Sequence, residues 1–195
     1  MPINNRKIMI FDLDGTLVDT APDFRNSVNF MLNQYNEPPV TLEEIRDWVG
    51  YGGRELIKRT MIAKQIEFDD NKLDEMLAIF LSHYTENIDD DSKLYDNVKE
   101  TLNFLKKENI KLSVCTNKDE TLSKTLLEKL DVLHLFDYLA GAHTFENRKP
   151  HPMPIIKTLE HLDMNKNEAV MIGDSITDLK AAQGAGIPVV LVDYG

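Results

Sequence analysis

Five short apolar runs, at residues 7–11, 110–116, 138–142, 169–172 and 188–192, are each closed by turn-forming residues, and this constrains the fold more than any other feature. Runs of this length that are apolar throughout read as strands buried on both faces. From about residue 92 onward, segments of helical period separate them. These are Val98, Leu102, Leu105; Leu122, Leu126, Leu130; Ile155, Ile156, Leu159, Leu162; and Ile176, Leu179, Ala182. Alternation of buried strand and amphipathic helix predicts βαβ units. The expected fold is α/β: a doubly wound, mostly parallel sheet with a Rossmann-like core.

The block 18–91 breaks the alternation. Phe24, Val28, Met31, Leu32 and Tyr35 share one helical face, and Leu73, Met76, Leu77, Phe80, Leu81 and Tyr84 share another. Between them Thr41 and Glu44 have capping-box spacing, Gly52-Gly53 interrupts, and Leu56, Ile57, Thr60 and Met61 resume the helical period. The block contains no convincing strand, and a crossover rarely needs so much chain. It is therefore expected to be an all-helical cap inserted after the first strand, between core segments 1–17 and 92–195, with Asp89-Asp90-Asp91 as the return hinge. There is no internal repeat and no low-complexity segment.

Charge and cysteine content narrow the function classes. With 22 Lys plus Arg against 33 Asp plus Glu, the net charge is −11. Such a chain gains nothing from counterion release on a nucleic acid and is repelled by an anionic membrane surface. Neither partner is expected. The single cysteine, Cys115, excludes an intrachain disulfide and a Cys-rich zinc cluster. It lies inside an apolar run and reads as a small core residue. The apolar run ending at Phe11 is too short for a signal-peptide core, and nothing approaches a membrane span. A cytoplasmic location is expected; the oligomeric state is not legible.

Chemistry concentrates at the ends of the apolar runs. The first ends in Asp12-Leu13-Asp14-Gly15-Thr16. Residues two apart at a strand end project the same way, so Asp12 and Asp14 converge, and two neighbouring carboxylates require a shared proton or a hard cation such as Mg²⁺. Asp-Gly is also a plain turn signal. A later run ends in Gly173-Asp174-Ser175, with Asp178 one helical turn beyond Asp174. The same residues also suit a helix N-cap. Strand carboxyl ends share one edge of a parallel sheet, where ligands bind, so the two clusters meet if their strands are neighbours. Thr116-Asn117-Lys118 and Arg148-Lys149-Pro150-His151-Pro152 supply hydroxyl and cationic donors suited to a phosphate. Of the two lysines, Lys149, flanked by Pro150, is the better candidate. The five histidines lack metal-ligand spacing, although His151 lies close to Lys149 in sequence.

In this order, Asp12-Leu13-Asp14-Gly15-Thr16, Thr116-Asn117, Lys149-Pro150 and Gly173-Asp174-Ser175 with Asp178 resemble the four motifs of the haloacid dehalogenase superfamily, across residues 8–193. The helical insert resembles the cap of its phosphoglycolate phosphatase branch, and Val49-Gly50-Tyr51-Gly52-Gly53-Arg54 that branch's cap loop. The resemblance implies a phosphatase for a small phosphorylated metabolite, with Asp12 as nucleophile and Asp14 as general acid and base. It further implies Mg²⁺ on the Asp12 carboxylate, the Asp14 main-chain carbonyl and Asp174, oriented by Asp178. Thr116, the Asn117 backbone or side chain, and Lys149 would hold phosphoryl oxygens, and Gly52, Gly53 or Arg54 would meet the rest of the substrate. The carboxyl group at Asp14 suits an alkoxide leaving group and disfavours dehalogenase chemistry. A sugar phosphomutase of the β-phosphoglucomutase kind shares these motifs, and a non-catalytic phosphate-binding module is the remote alternative. Family members usually continue past the last strand here, so an exposed sheet edge is expected there.

Overall fold

Each of the five apolar runs forms a strand, and the five pair into one parallel sheet. A computed structural model describes residues 6–195; residues 1–5, the start of the expected first core segment and of the N-terminal stretch read for a leader, lie outside the described residues. The chain runs β1 (Ile8–Phe11), β2 (Val18–Asp19), α1 (Ala21–Asn33), α2 (Leu42–Trp48), α3 (Gly53–Ala63) and α4 (Asp70–Glu86). It continues through β3 (Lys93–Leu94), α5 (Val98–Lys107), β4 (Lys111–Cys115), α6 (Glu120–Lys129) and β5 (Tyr138–Ala140). It closes with α7 (Met153–His161), β6 (Ala169–Gly173), α8 (Ile176–Ala185) and β7 (Val189–Leu191). Sheet order is β5-β4-β1-β6-β7, with β1 in the centre.

The period of two along each strand explains why the sheet carries helices on both faces. Ile8, Ile10, Ala169 and Met171 face Ile155, Leu159, Ala181 and Ala182 of α7 and α8. Phe11, Leu112 and Val114 join the opposite core with Leu102 and Leu105 of α5 and Leu126 and Leu127 of α6. Because both faces are covered, the strands are predominantly apolar; the exceptions lie in β4, where Lys111 donates to the Leu162 carbonyl and Ser113 is fully buried. β7 forms an edge, where Val190 and Leu191 are exposed.

Register sets the site. Phe11 lies opposite Val114 of β4 and Ile172 of β6, so the three strands end level with one another. The residues that follow, Asp12, Thr116 and Asp174, therefore leave the sheet at one place. The Asp12 amide extends the ladder by donating to the Ile172 carbonyl at 2.9 Å.

Helices α1–α4 pack against one another above that edge. Their starts follow the sequence: Thr41 and Glu44 form the reciprocal capping box of α2, and the Asp69 carboxylate accepts from the Lys72 amide at the head of α4. The expectation of an 18–91 block without strands is corrected here. Val18–Asp19 forms β2 and pairs antiparallel with β3, so the chain leaves and re-enters the sheet region as a two-stranded ribbon. Two residues are too few to display a period of two, which is why the sequence pattern does not reveal them. Among the described residues no helix is long and apolar enough to cross a membrane.

Candidate active site

The turn after β1 puts two carboxylates to different uses. Asp12 is 3% exposed and accepts from the Leu13 amide at 2.7 Å. Gly15, at φ 82°, lets the chain double back so that its amide reaches the Val18 carbonyl at 3.0 Å. A Cβ on Gly15 would lie 2.4 Å from Asp174 Oδ2, so the missing side chain is also what lets β6 bring its carboxylate close. The Asp14 side chain turns away from this cluster toward Lys118, whose Nζ is 3.2 Å from its Oδ1.

Lys149 lies within the acidic cluster, 2% exposed, with Nζ 2.8 Å from Asp12 and 2.6 Å from Asp178. Burial pushes its ammonium group toward neutrality, and the two carboxylates more than reverse this, holding its pKa above the ordinary lysine value. Burial raises Asp12 well above the usual carboxylate range; repulsion from Asp178 adds to this and Lys149 opposes it. Asp174 is raised by burial too, against a hydrogen bond donated by Thr16 Oγ1 at 2.9 Å. Asp178 is held from both sides, because it closes the capping box of α8 with Ser175 while bonding Lys149. The alternative reading of this segment as an N-cap is therefore also correct: Ser175 caps α8.

Oxygen atoms of Asp12, Asp174 and Asp178 lie within 4.8 Å of one another. Three acidic groups are answered by one lysine, and repulsion among them adds to the burial that raises Asp12 and Asp174. A divalent cation fits that donor set: the ligands are hard oxygens, and the charge they lack is positive.

On the other side of Asp12, Thr116 and Asn117 are buried at the end of β4. The Thr116 hydroxyl accepts from the Lys118 amide at 3.1 Å. The Asn117 side-chain amide donates to the Gly50 and Lys149 carbonyls, both at 3.0 Å, which ties the 49–54 loop to the Lys149 loop. Those bonds commit the side-chain nitrogen of Asn117 to main-chain carbonyls. Arg54 is pinned to Asp70 and Asp74 of α4 rather than standing free. Gly52, at φ 90°, touches the core: a Cβ there would lie 3.1 Å from both the Asn117 carbonyl and an Arg148 guanidinium nitrogen. Cys115 is fully buried and burial pushes its thiol up to about 12, as befits a core residue. His151 accepts from the Met153 amide, and its ring is no part of the cluster.

The sequence ranks Lys118 below Lys149, places Arg148 only among the donors of its loop, and does not identify Tyr84 or Phe24 as cavity residues. Lys118 is 6% exposed, its Nζ 2.6 Å from the Tyr84 hydroxyl and 4.3 Å from the centre of the Phe24 ring. Burial lowers its pKa, partly offset by Asp14. The available signal was its place in Thr116-Asn117-Lys118, two residues after a strand end. These groups line a cavity of about 650 Å³ with Asp12, Asp14, Thr116, Asn117, Gly52, Gly53, Arg54 and Arg148. That is the size of a small-molecule site.

The geometry agrees with the comparisons. A family model for haloacid dehalogenase-like hydrolases matches residues 9–192. A phosphoglycolate phosphatase of Mesorhizobium japonicum is 42% identical over 98% of this chain and 84% of its own length. One from Colwellia psychrerythraea is 37% identical over 100% of this chain and 88% of its own. Among solved structures, a predicted phosphoglycolate phosphatase from Haemophilus somnus superposes with a TM-score of 0.94 at 32% identity, covering 100% of this chain and 88% of that one. The chain belongs to the haloacid dehalogenase-like hydrolase family.

Proposed function

We propose that this chain is a Mg²⁺-dependent phosphatase that hydrolyses phosphoglycolate through an aspartyl-phosphate. The observation that carries this reading is the division of labour at the end of β1: Asp12 faces Lys149 and the acidic cluster, whereas Asp14 is turned into the cavity toward Lys118. The names of the relatives supply the substrate. Residues 18–91 act as the cap over a core of 1–17 and 92–195, and the single buried cysteine together with a metabolite substrate fits a cytoplasmic enzyme.

In this mechanism an Asp12 carboxylate oxygen attacks phosphorus while the ester P–O bond breaks. Asp14 gives its proton to the departing alkoxide, then accepts one from the water that hydrolyses the intermediate, releasing inorganic phosphate and restoring Asp12. Lys149, the Thr116 hydroxyl and the Asn117 main chain hold phosphoryl oxygens. Asp12, Asp174 and the Asp14 main-chain carbonyl would hold Mg²⁺, with Asp178 fixing Lys149 and the head of α8. When bound, the cation neutralises phosphoryl and carboxylate charge. The cap excludes water from the phosphoryl group during the first step.

The test is phosphate release with and without Mg²⁺ from phosphoglycolate, β-glucose 1-phosphate and an aryl phosphate, with Asp12→Asn as the blank. Fast Mg²⁺-dependent release from phosphoglycolate is expected, and Asp12→Asn should retain less than about 1% of it. Glucose 6-phosphate accumulating from the β-sugar, with slow release elsewhere, identifies a mutase instead. Phosphorylated Asp12 without turnover identifies a binding module.

A further inference from the structure

Phosphoglycolate carries a second anionic group, a carboxylate one methylene away from the ester oxygen. Whatever recognises that carboxylate must lie within a few ångströms of the group that protonates the ester oxygen, here Asp14. Three cations line the substrate side of the cavity: Arg54, Lys118 and Arg148. Arg54 is already paired with Asp70 and Asp74. Arg148 is an exposed residue at the rim beside Gly52. Lys118 alone is both buried and next to the proton donor, 3.2 Å from Asp14 Oδ1.

The surroundings of Lys118 are built to present it. Its ammonium group lies 4.3 Å from the Phe24 ring centre and 4.4 Å from that of Tyr84, which fixes its position, and its carboxylate partner is Asp14, the proton donor itself. It donates to the Tyr84 hydroxyl at 2.6 Å, so that hydroxyl, having accepted, keeps its own proton to donate. Among the described residues no acceptor takes that proton. An ammonium group and a hydroxyl side by side, walled by aromatic rings, make a complementary pair of donors for a carboxylate.

We infer that Lys118 Nζ and the Tyr84 hydroxyl together bind the carboxylate of the substrate and so determine its specificity; this rests on the phosphoglycolate reading above. Lys118 comes from the core and Tyr84 from α4, and the 2.6 Å bond between them already joins the helical block to the sheet edge.

The experiment compares kcat/KM for phosphoglycolate with that for 2-hydroxyethyl phosphate, an ester of similar size without the carboxylate, in wild type, Lys118→Met, Tyr84→Phe and Arg148→Ala. Wild type is expected to favour phosphoglycolate by at least about 100-fold, because a site built around a charged partner rejects the ligand that lacks it. Lys118→Met should cut that ratio by about 100-fold and Tyr84→Phe by about 10-fold. Competitive inhibition by glycolate should weaken in parallel in both variants. An unchanged ratio overturns the inference, including the case in which Lys118→Met slows both esters equally and so serves only Asp14. Loss of the ratio in Arg148→Ala but not in Lys118→Met also overturns it, moving recognition to the rim. Should Lys118→Met fail to fold, Tyr84→Phe decides by the same ratio. A wild type that hydrolyses both esters equally well refutes the phosphoglycolate reading itself, an outcome distinct from a wild-type preference that survives the substitutions.

Discussion

Lys149 is the residue on which most of the site's electrostatics depend. It is 2% exposed and bonds two carboxylates, so its removal strands like charges in a place that water does not reach. Breaking a buried pair by deleting one partner costs about 3–5 kcal/mol. Lys149→Met is expected to lose stability in that range in urea denaturation at neutral pH. A lysine whose folded pKa is raised contributes stability that is fully present below its unfolded value and is lost only as pH rises through the folded one. The deficit should therefore stay level up to about pH 10 and narrow in acid, as the stranded carboxylates take up protons. Asp12 and Asp174 are also raised, so the same sign rule applies to them with a different consequence. Their protonated forms favour the fold in acid, and above their raised pKa values the ionised pair costs stability until a cation neutralises it. The rise in melting temperature on adding Mg²⁺ should be large at neutral pH and smaller at about pH 5. Equal rises at both pH values would show that these carboxyls do not hold the cation.

At the scale of elements, the turn between β6 and α8 shows how closely a strand end and a helix start are fitted. A Cβ on Gly173 would lie 2.3 Å from the Asp178 Cγ and 2.6 Å from its Cβ. Gly173→Ala must therefore push Asp178 off Lys149 and out of its capping box. The expected cost is about 1–3 kcal/mol of overpacking together with at least a tenfold loss of phosphatase activity. Ser175→Ala, which removes the cap but leaves Gly173 and Asp178 room to fit, should cost about 1 kcal/mol. Full activity and wild-type melting in Gly173→Ala would show that the position of Asp178 is immaterial. This turn was largely legible in the sequence, because parallel strands oblige acidic residues at their carboxyl ends to share an edge. The five sheet strands and the helices between them were legible for the same reason: buried faces impose apolar periods. The β2–β3 ribbon was not, because its pairing is tertiary and its strands are two residues long. Lys118 ranked second to Lys149 in the sequence because its partners come from elsewhere in the chain: Asp14 before the helical block, and Phe24 and Tyr84 within it. The ties of Arg54 to Asp70 and Asp74 were not legible, because those carboxylates come from another helix, and Arg54 read only as a substrate contact.

For the whole molecule, the question is what fixes the helical block to the sheet when only two strands of chain connect them. Ribbon pairing supplies part of the answer, the Asn117–Gly50 and Lys118–Tyr84 bonds another part, and a buried carboxylate holds the connection itself. Asp23, 1% exposed in the first turn of α1, accepts from the amides of Asp91 at 3.0 Å and Ser92 at 2.8 Å. The outgoing chain thereby holds the returning chain just before it enters β3. Asn26 adds a bond to the Asp91 carboxylate, and Lys129 of α6 an ion pair to Asp89, so the acidic run 89–91 is anchored at both ends. Removing Asp23 leaves two amides without acceptors at the connection, each worth about 1–3 kcal/mol when buried. Asp23→Ala is expected to lose about 2–4 kcal/mol, and Asp23→Asn, which keeps one acceptor oxygen, about half of that. Stability alone does not distinguish a hinge from any other buried bond, so limited proteolysis supplies the second readout. Under native conditions, cleavage within residues 89–92 should accelerate in Asp23→Ala relative to the rest of the chain, because local opening there no longer has to break these bonds. If the variant is destabilised but its cleavage pattern matches wild type, Asp23 stabilises the fold at large and the connection is held by the ribbon and the Asn26 and Lys129 bonds.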